Sequence, residues 1–172
     1  PLPTADGTKV KADVFEYAVS MEMGGKAMEM GVKRTIEASA RDTRPCWRVT
    51  DVTTMPMGTV TTAYDLDKAS LMPVRVGASG MATIKLDFSP TAIKGEMGAG
   101  GQTMPVDQKL EAPVFGEDAA FLVALSGLPL APGYETTYRT FSAGRQKTRL
   151  MRLKVSGAET VTVPAGTFEA LV

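Results

Sequence analysis

The sequence predicts a mainly β protein, with a strongly curved antiparallel sheet, a half-barrel or β-clam, wrapped around one principal α-helix. Roughly ten short segments alternate apolar and polar residues, a pattern typical of strands with one solvated face. Only the segment around Glu117 to Ser126 has both a helical start and a helical stop signal. A sheet of that many strands has to curl, and the helix would fill its concavity. A closed up-and-down barrel is the competing architecture, because alternation alone does not separate the two.

The helix is defined by its ends. Glu117 and Asp118 put negative charge where a helix N-terminus favours it, and Gly127 followed by Pro129 ends the helix. A short, mostly apolar helix is unstable alone in water, so we expect it to pack against the sheet. One face of this helix should then carry three large apolar side chains, those of Phe121, Leu122 and Leu125.

The strands before the helix form a meander of hairpins. Val10 to Met23 and Met30 to Ala40 are joined through Gly24-Gly25-Lys26, a natural hairpin turn. The apolar positions of the first segment change parity at Phe15, which predicts a β-bulge. Further strands are expected at Cys46 to Met55, Met57 to Leu66, Met72 to Ala78, Met81 to Phe88 and Thr103 to Leu110. After the helix, strands are expected at Tyr134 to Phe141, Gln146 to Ser156, Glu159 to Val163 and Thr167 to Val172.

Composition favours one domain over residues 1–172 and excludes several partners. Nineteen basic and nineteen acidic residues give zero formal charge, so no overall field attracts nucleic acid or an anionic membrane. The basic stretch from Arg145 to Lys154 has no interleaved aromatic residues and is interpreted as a solvated strand. No apolar run is long enough to predict a transmembrane segment.

The residue types also argue against an enzyme. The chain has no histidine, which removes the usual triads, histidine metal sites and imidazole acid-base catalysis. Cys46, the only cysteine, is interpreted as a small buried residue, because no base is available to activate it. Asp65 and Asp67 are too few for a calcium loop and are expected to cap a turn. The glycines between Gly95 and Gly101 predict a flexible turn. We therefore predict no catalytic residue, no metal and no cofactor.

Eleven methionines leave three interpretations open. Met21, Met23, Met28 and Met30 could fill the core, line a site for an apolar ligand, or bind Cu(I) through their thioethers. Core filling is the simplest interpretation, and the lack of histidine and cysteine support places copper third. If a ligand site exists on the concave face, its candidate lining residues are Trp47, Met21, Met30, Phe121, Leu122 and Leu125.

Three motifs resemble those of a known family. They are Glu159-Thr-Val-Thr-Val-Pro-Ala-Gly-Thr-Phe-Glu-Ala170, the turn from Tyr64 to Arg75, and Leu128-Pro-Leu-Ala-Pro-Gly-Tyr134. Over most of its length the chain resembles a domain of unknown function found in exported bacterial proteins. Such domains are similar in fold to the lipoprotein localisation factors (LolA-like), in which a curved antiparallel sheet wraps around helical segments. The resemblance implies a periplasmic or otherwise exported location and carries no catalytic residues. Because family members usually continue for one or two more strands, it also implies that the sheet is truncated at Val172.

Two functions of different classes follow as expectations. The first is a non-enzymatic binding module that holds a lipid or another apolar small molecule on the concave face. The second is a structural or accessory domain of the cell envelope, in which that face is fully packed. The volume of an open apolar cavity would separate them, because a carrier needs several hundred cubic ångströms and a scaffold has a filled core.

Overall fold

The computed structural model describes residues 3–23 and 26–172, and these residues are mainly β. Twelve strands and one α-helix form within them, and the strand pairs are antiparallel. The predicted mainly β class, with one helix and a large antiparallel sheet, is confirmed. Gly24 and Gly25, predicted as the first hairpin turn, lie outside the described residues.

Eight strands form one sheet in which every strand lies beside its neighbours in the chain. The strands are β1 (Asp13–Met23), β2 (Lys26–Arg41), β3 (Arg44–Met55), β4 (Gly58–Asp67), β5 (Pro73–Ser79), β6 (Ala82–Phe88), β7 (Ala92–Ala99) and β8 (Gln102–Lys109). Strands β1 and β8 are the two edges, and no described strand joins them. The described sheet is therefore open and not a closed barrel.

The remaining elements follow the sheet in the chain. They are the helix α1 (Asp118–Ser126), the hairpin β9 (Glu135–Ser142) with β10 (Lys147–Lys154), and the hairpin β11 (Ala158–Val163) with β12 (Gly166–Leu171). Two short 3-10 turns lie at Gly7–Lys9 and Ala143–Arg145. A single parallel bridge between Phe115 and Thr140 joins β9 to the segment that leads into the helix.

The predicted bulge in the first strand is wrong. Strands β1 and β2 pair without interruption from Asp13 opposite Ile36 to Met23 opposite Lys26. The change of parity has another cause, because Val10 precedes the strand and is buried in the core, whereas Val14 lies in the strand and is exposed. The register shifts instead between β4 and β5, at Asp65 and Leu66.

The main core lies between α1 and one face of the sheet. Ile36 pairs with Val49 and Val49 with Tyr64, so these three buried side chains share one face, which we call the helix face. The helix lies against β3 and β4. Its fully packed side chains are small ones, those of Ala119, Ala120, Val123 and Ala124.

This packed face differs from the predicted one. Phe121 and Leu125 are only partly buried at the margin of the core, and the Leu122 side chain is 53% exposed. Alanine side chains let the helix axis come close to the sheet, whereas three large side chains would hold it away. The large residues therefore flank the contact, and Leu122 projects beside it.

The segment before β1 is tied across one end of the core. The Trp47 indole Nε1 donates to the Gly7 carbonyl oxygen at 3.1 Å, and the Gly7 amide donates to the Ala69 carbonyl at 2.9 Å. The Asp6 amide donates to the Gly127 carbonyl at the end of the helix, also at 2.9 Å. A Cβ at Gly7 would overlap the Lys68 carbonyl oxygen, so this close approach requires glycine.

Across residues 3–23 and 26–172, we find no helix with both the length and the apolar character that crossing a membrane requires.

Candidate functional site

A groove of about 450 Å³ runs between α1 and the first two strands. We call it the edge groove, because β1 is an edge of the sheet. Its lining residues are Lys9, Val10, Lys11, Asp13, Phe15, Tyr17, Arg34, Ile36, Leu122, Val123 and Ser126.

The register places the aromatic residues of β1 in this groove. Phe15 and Tyr17 lie two and four residues beyond Asp13, whose partner Ile36 is on the helix face, so all share that face. The helix lies against β3 and β4, and Ile36 is buried, whereas the aromatic pair nearer the sheet edge is left partly exposed. Phe15 is therefore 38% exposed and Tyr17 42% exposed.

The groove has an apolar floor and apolar walls. Val10 and Val123 are buried at its base, and Leu122 forms the helix side. On the sheet side the rings of Phe15 and Tyr17 stack with centroids 6.2 Å apart and planes 21° apart. Exposed hydrocarbon on both sides of a concave surface is the arrangement that apolar ligands bind.

Arg34 lies in the groove wall, and its positive charge is neutralised by an ion pair with Asp51. Its Nε donates to Asp51 Oδ1 at 2.8 Å and its Nη2 to Asp51 Oδ2 at 2.7 Å. The guanidinium carbon also lies 5.5 Å from the centre of the Tyr17 ring. The hydrogen bonds to Asp51 raise the pKa of Arg34. This arginine orients the Tyr17 ring and leaves no uncompensated charge in the wall.

The rim of the groove near the chain's start carries charged groups. Lys9 and Lys11 are exposed there, and neither forms an ion pair with another described residue. The Asp13 carboxylate accepts a hydrogen bond from the Val14 amide at 2.8 Å. Hydrogen bonds from the Thr8 hydroxyl and amide lower the pKa of Asp6, which precedes this rim.

A second trough of about 370 Å³ continues along β1 and shares Tyr17 with the edge groove. Val19 and its partner Met30 line it, and both are half-buried. Met30 was predicted as ligand lining, and the structure places it in this trough. Met21 was predicted likewise; its backbone pairs with Met28, but its side chain lies outside the described part of the structure.

The other predicted lining residues pack in the core. Trp47 is buried, with the Lys68 ammonium 5.0 Å above its ring. Phe121 stacks on Tyr138 of β9, with centroids 4.4 Å apart, and Leu125 packs against the same core. Of the six predicted residues, the structure brings Leu122 into the edge groove and Met30 into the adjoining trough.

Sequence reasoning missed Phe15, Tyr17 and Val10 as lining residues. The signal was present, because Phe15, Tyr17 and Val19 occupy alternate positions of one strand and so share a face. The position of the helix on the sheet could not be predicted from the sequence. That position leaves the part of this face between Ile36 and the sheet edge partly exposed.

A smaller cavity of about 120 Å³ lies at the start of the helix, where Glu117 and Asp118 meet Tyr64. Burial, followed by the nearby Asp118 charge, raises the pKa of both Tyr64 and Glu117. The Tyr64 hydroxyl is therefore a neutral group at neutral pH. Most of the remaining lining is apolar, from Val76, Ile84, Leu86, Phe88 and Phe141, and the cavity is too small for a drug-sized ligand.

The residues considered for chemistry have structural partners. Cys46 is buried, and burial raises the pKa of its thiol, which disfavours the reactive thiolate. Asp65 was also expected to cap the turn, but that prediction is wrong, because it forms a two-point ion pair with Arg48 at 2.8 and 3.0 Å. Asp67 accepts from the Ser70 amide at 2.9 Å, so its predicted turn-capping role is confirmed. The described residues contain no group of three or more acidic or cysteine side chains placed to hold a metal ion.

Comparison with known proteins gives one match. A family model described as "Protein of unknown function (DUF3108)" matches residues 13–172. No curated protein and no solved structure matches the chain. The matched region begins at the first residue of β1 and includes the strands and the helix that form the edge groove.

Proposed function

This chain belongs to the DUF3108 family of proteins of unknown function, and from that premise we propose that it is a non-enzymatic binding module. The edge groove holds an apolar ligand, such as the acyl chain of a lipid. The main observation behind this proposal is the open groove of about 450 Å³ between Leu122 and the Phe15–Tyr17 pair. Its volume is within the range of about 300–1,000 Å³ that is usual for small-molecule sites.

The chemistry of the lining supports binding over catalysis. Leu122, Phe15 and Val10 offer hydrocarbon, and the nearest guanidinium, that of Arg34, is held by Asp51. The lysines of the rim, Lys9 and Lys11, are exposed. The groove therefore suits retention of a ligand without covalent change.

The same proposal extends to architecture and place. The eight-stranded sheet would curve around α1 as a half-barrel, as in the LolA-like localisation factors, and the protein would act in the bacterial periplasm or another exported setting. The packing of the helix on one sheet face supports this architecture. So does the closing hairpin, in which Val163 pairs with Gly166 across the Val-Pro-Ala-Gly turn that carries the resemblance.

A structural role in the cell envelope is the second candidate. It is favoured by the core between the helix and β3 and β4, which is filled by buried side chains such as Trp47, Val49 and Leu66. Any ligand would therefore lie beside the helix and not beneath it. The two functions differ in one respect that can be measured: a binding module takes up a ligand in the edge groove in solution, and a structural domain does not.

Thermal unfolding with dodecanol tests the proposal, because dodecanol is a neutral chain without a charged head group. Binding to the folded state at a hundredfold excess over Kd should raise the Tm by about 5–10 °C. Leu122→Asp should abolish the rise by placing a charge on the groove wall. Leu150→Asp is the matched control, because Leu150 lies on β10 and is 66% exposed. Equal behaviour of both variants, or no rise for the wild type, would favour the structural role.

A further inference from the structure

We infer that the ligand of the edge groove is a single-chain amphiphile with one negative charge, of the fatty-acid class. Its chain would lie along Phe15, Tyr17 and Leu122, and its carboxylate would meet Lys9 and Lys11. This inference rests on the proposed binding function and adds to it the chemistry of the ligand's head group and its orientation.

The two lysines are positioned by the fold and not by chance exposure. Asp6 and Gly7 are hydrogen-bonded to the core, which fixes the 3-10 turn Gly7–Lys9 at the end of the helix. Val10 then points into the floor and is buried, so Lys9 and Lys11 flank it at the groove's end. Lysine stems can lie along the apolar floor while their ammonium groups stay at the rim.

The charge at this end calls for an anion. Lys9 and Lys11 have no ion-pair partner among the residues that the structure describes. The lining contributes two positive charges and the one negative charge of Asp13, a difference of +1, because Arg34 is cancelled by Asp51. Asp6 lies outside the lining but is close enough to Lys9 for the lysine charge to help lower the Asp6 pKa, so Lys9 is partly balanced before a ligand binds. A head group with a single negative charge complements that balance.

The shape beyond the lysines suits one extended chain. The helix face of β1 continues from Phe15 through Tyr17 to Val19, and the second trough takes over where the edge groove ends. The seven strand residues from Asp13 to Val19 are separated by six steps of about 3.3 Å each, so they span roughly 20 Å. The first part of this path lies between the helix and β1, and the second part runs along β1 and β2 without the helix. An extended hydrocarbon chain fits such a path better than a compact ligand.

Isothermal titration calorimetry with three twelve-carbon probes tests this inference. The two charged probes are kept below their micelle concentrations and the neutral one below its solubility limit. The probes are dodecanoate, neutral dodecanol and cationic dodecyltrimethylammonium. In 50 mM NaCl, dodecanoate should bind about three- to tenfold more tightly than dodecanol, because two exposed charge pairs each contribute modestly. The advantage should shrink in 500 mM NaCl, where the charges are screened over about 4 Å. The cationic probe should bind most weakly.

The double variant Lys9→Gln, Lys11→Gln should remove the preference for dodecanoate while leaving dodecanol affinity unchanged. Lys147→Gln, Lys154→Gln is the matched control, since both lysines lie on β10, away from the groove. Equal wild-type affinity for dodecanoate and dodecanol, without salt dependence, would overturn the head-group assignment and leave the binding function standing. If none of the three probes binds the wild type, both proposals fail together. The wild-type salt comparison decides the matter even if the double variant is unstable.

Discussion

Arg34 on β2 and Asp51 on β3 stand directly opposite each other on the helix face and share two hydrogen bonds, of 2.8 and 2.7 Å. Their side chains are only 11% and 15% exposed. The pair marks the line where the filled core under the helix gives way to the uncovered face beside it. The Arg34 guanidinium also lies 5.5 Å from the centre of the Tyr17 ring, so the pair connects β2 and β3 to the exposed aromatic residue of β1.

Asp51→Ala should therefore be costly, because it leaves the Arg34 guanidinium poorly solvated and without its partner. We expect a loss of about 2–3 kcal/mol in the free energy of unfolding, measured by urea denaturation. Glu16→Ala is the control: its pair with Lys33 is 3.8 Å long and exposed, so stability should hardly change. Similar losses in the two variants would contradict the role assigned to the Arg34–Asp51 pair.

The helix offers a second test, because neighbouring large residues lie in different surroundings. Phe121→Ala removes the ring stacked on Tyr138 and should cost about 2–3 kcal/mol. Leu122→Ala removes a side chain that is 53% exposed and should cost no more than about 0.5 kcal/mol. The Leu122 variant should nevertheless weaken dodecanol binding. A large stability loss for Leu122→Ala would mean that this side chain is packed in solution.

Gly7 tests the attachment of the segment before β1. Gly7→Ala places a methyl group on the Lys68 carbonyl oxygen and should cost about 2 kcal/mol or more. It should also shift the fluorescence of Trp47, the only tryptophan, because the indole donates to the Gly7 carbonyl. Gly157→Ala, where a Cβ meets nothing within 4 Å, is the control. An unchanged spectrum and an unchanged midpoint for Gly7→Ala would refute the close contact.

Asp67 predicts a pH effect. Burial alone would raise the pKa of its carboxyl, but hydrogen bonds from the Ser70 amide, the Arg44 guanidinium and the Ser70 hydroxyl prevail and lower that pKa to about 2. The unfolded chain titrates near 3.8, so the stabilisation is complete above that pH and is lost as the pH falls toward 2. After allowance for solvent screening it should amount to about 1 kcal/mol.

The measurement is urea unfolding at pH 7, 4 and 2.5. Asp67→Asn should be less stable than the wild type at pH 7, and the gap between the two should narrow at pH 2.5. A constant gap across the three values would show that the carboxylate charge does not contribute to stability.

Much of the fold could be predicted because its signals are local. Consecutive strands were expected at Cys46 to Met55 and Met57 to Leu66, and the structure pairs them as a hairpin that closes with Met55 opposite Gly58. The helix was expected around Glu117 to Ser126, and it runs from Asp118 to Ser126. Alternation along a strand and signals at the ends of a helix act over a few residues, so they are readable from the sequence.

The site was predicted less completely. Leu122 and Met30 were expected as lining residues and lie in the edge groove and its adjoining trough. Trp47 was expected there because it is large and apolar, but its indole donor is used by Gly7, forty residues earlier in the chain. A contact over that separation depends on how the segment before β1 crosses the core, and no local pattern encodes it.

The sequence by itself determined the alternating strands, the ends of the helix and the lack of histidine chemistry, because each depends on residue type and short-range geometry. Only the tertiary structure decided which side of the helix packs. Ala120 and Ala124 let it approach β3 and β4 closely, which turns Leu122 outward. That packing leaves Phe15 and Tyr17 partly exposed on the edge strand and creates the groove, because a single helix on β3 and β4 is too narrow to cover the whole face.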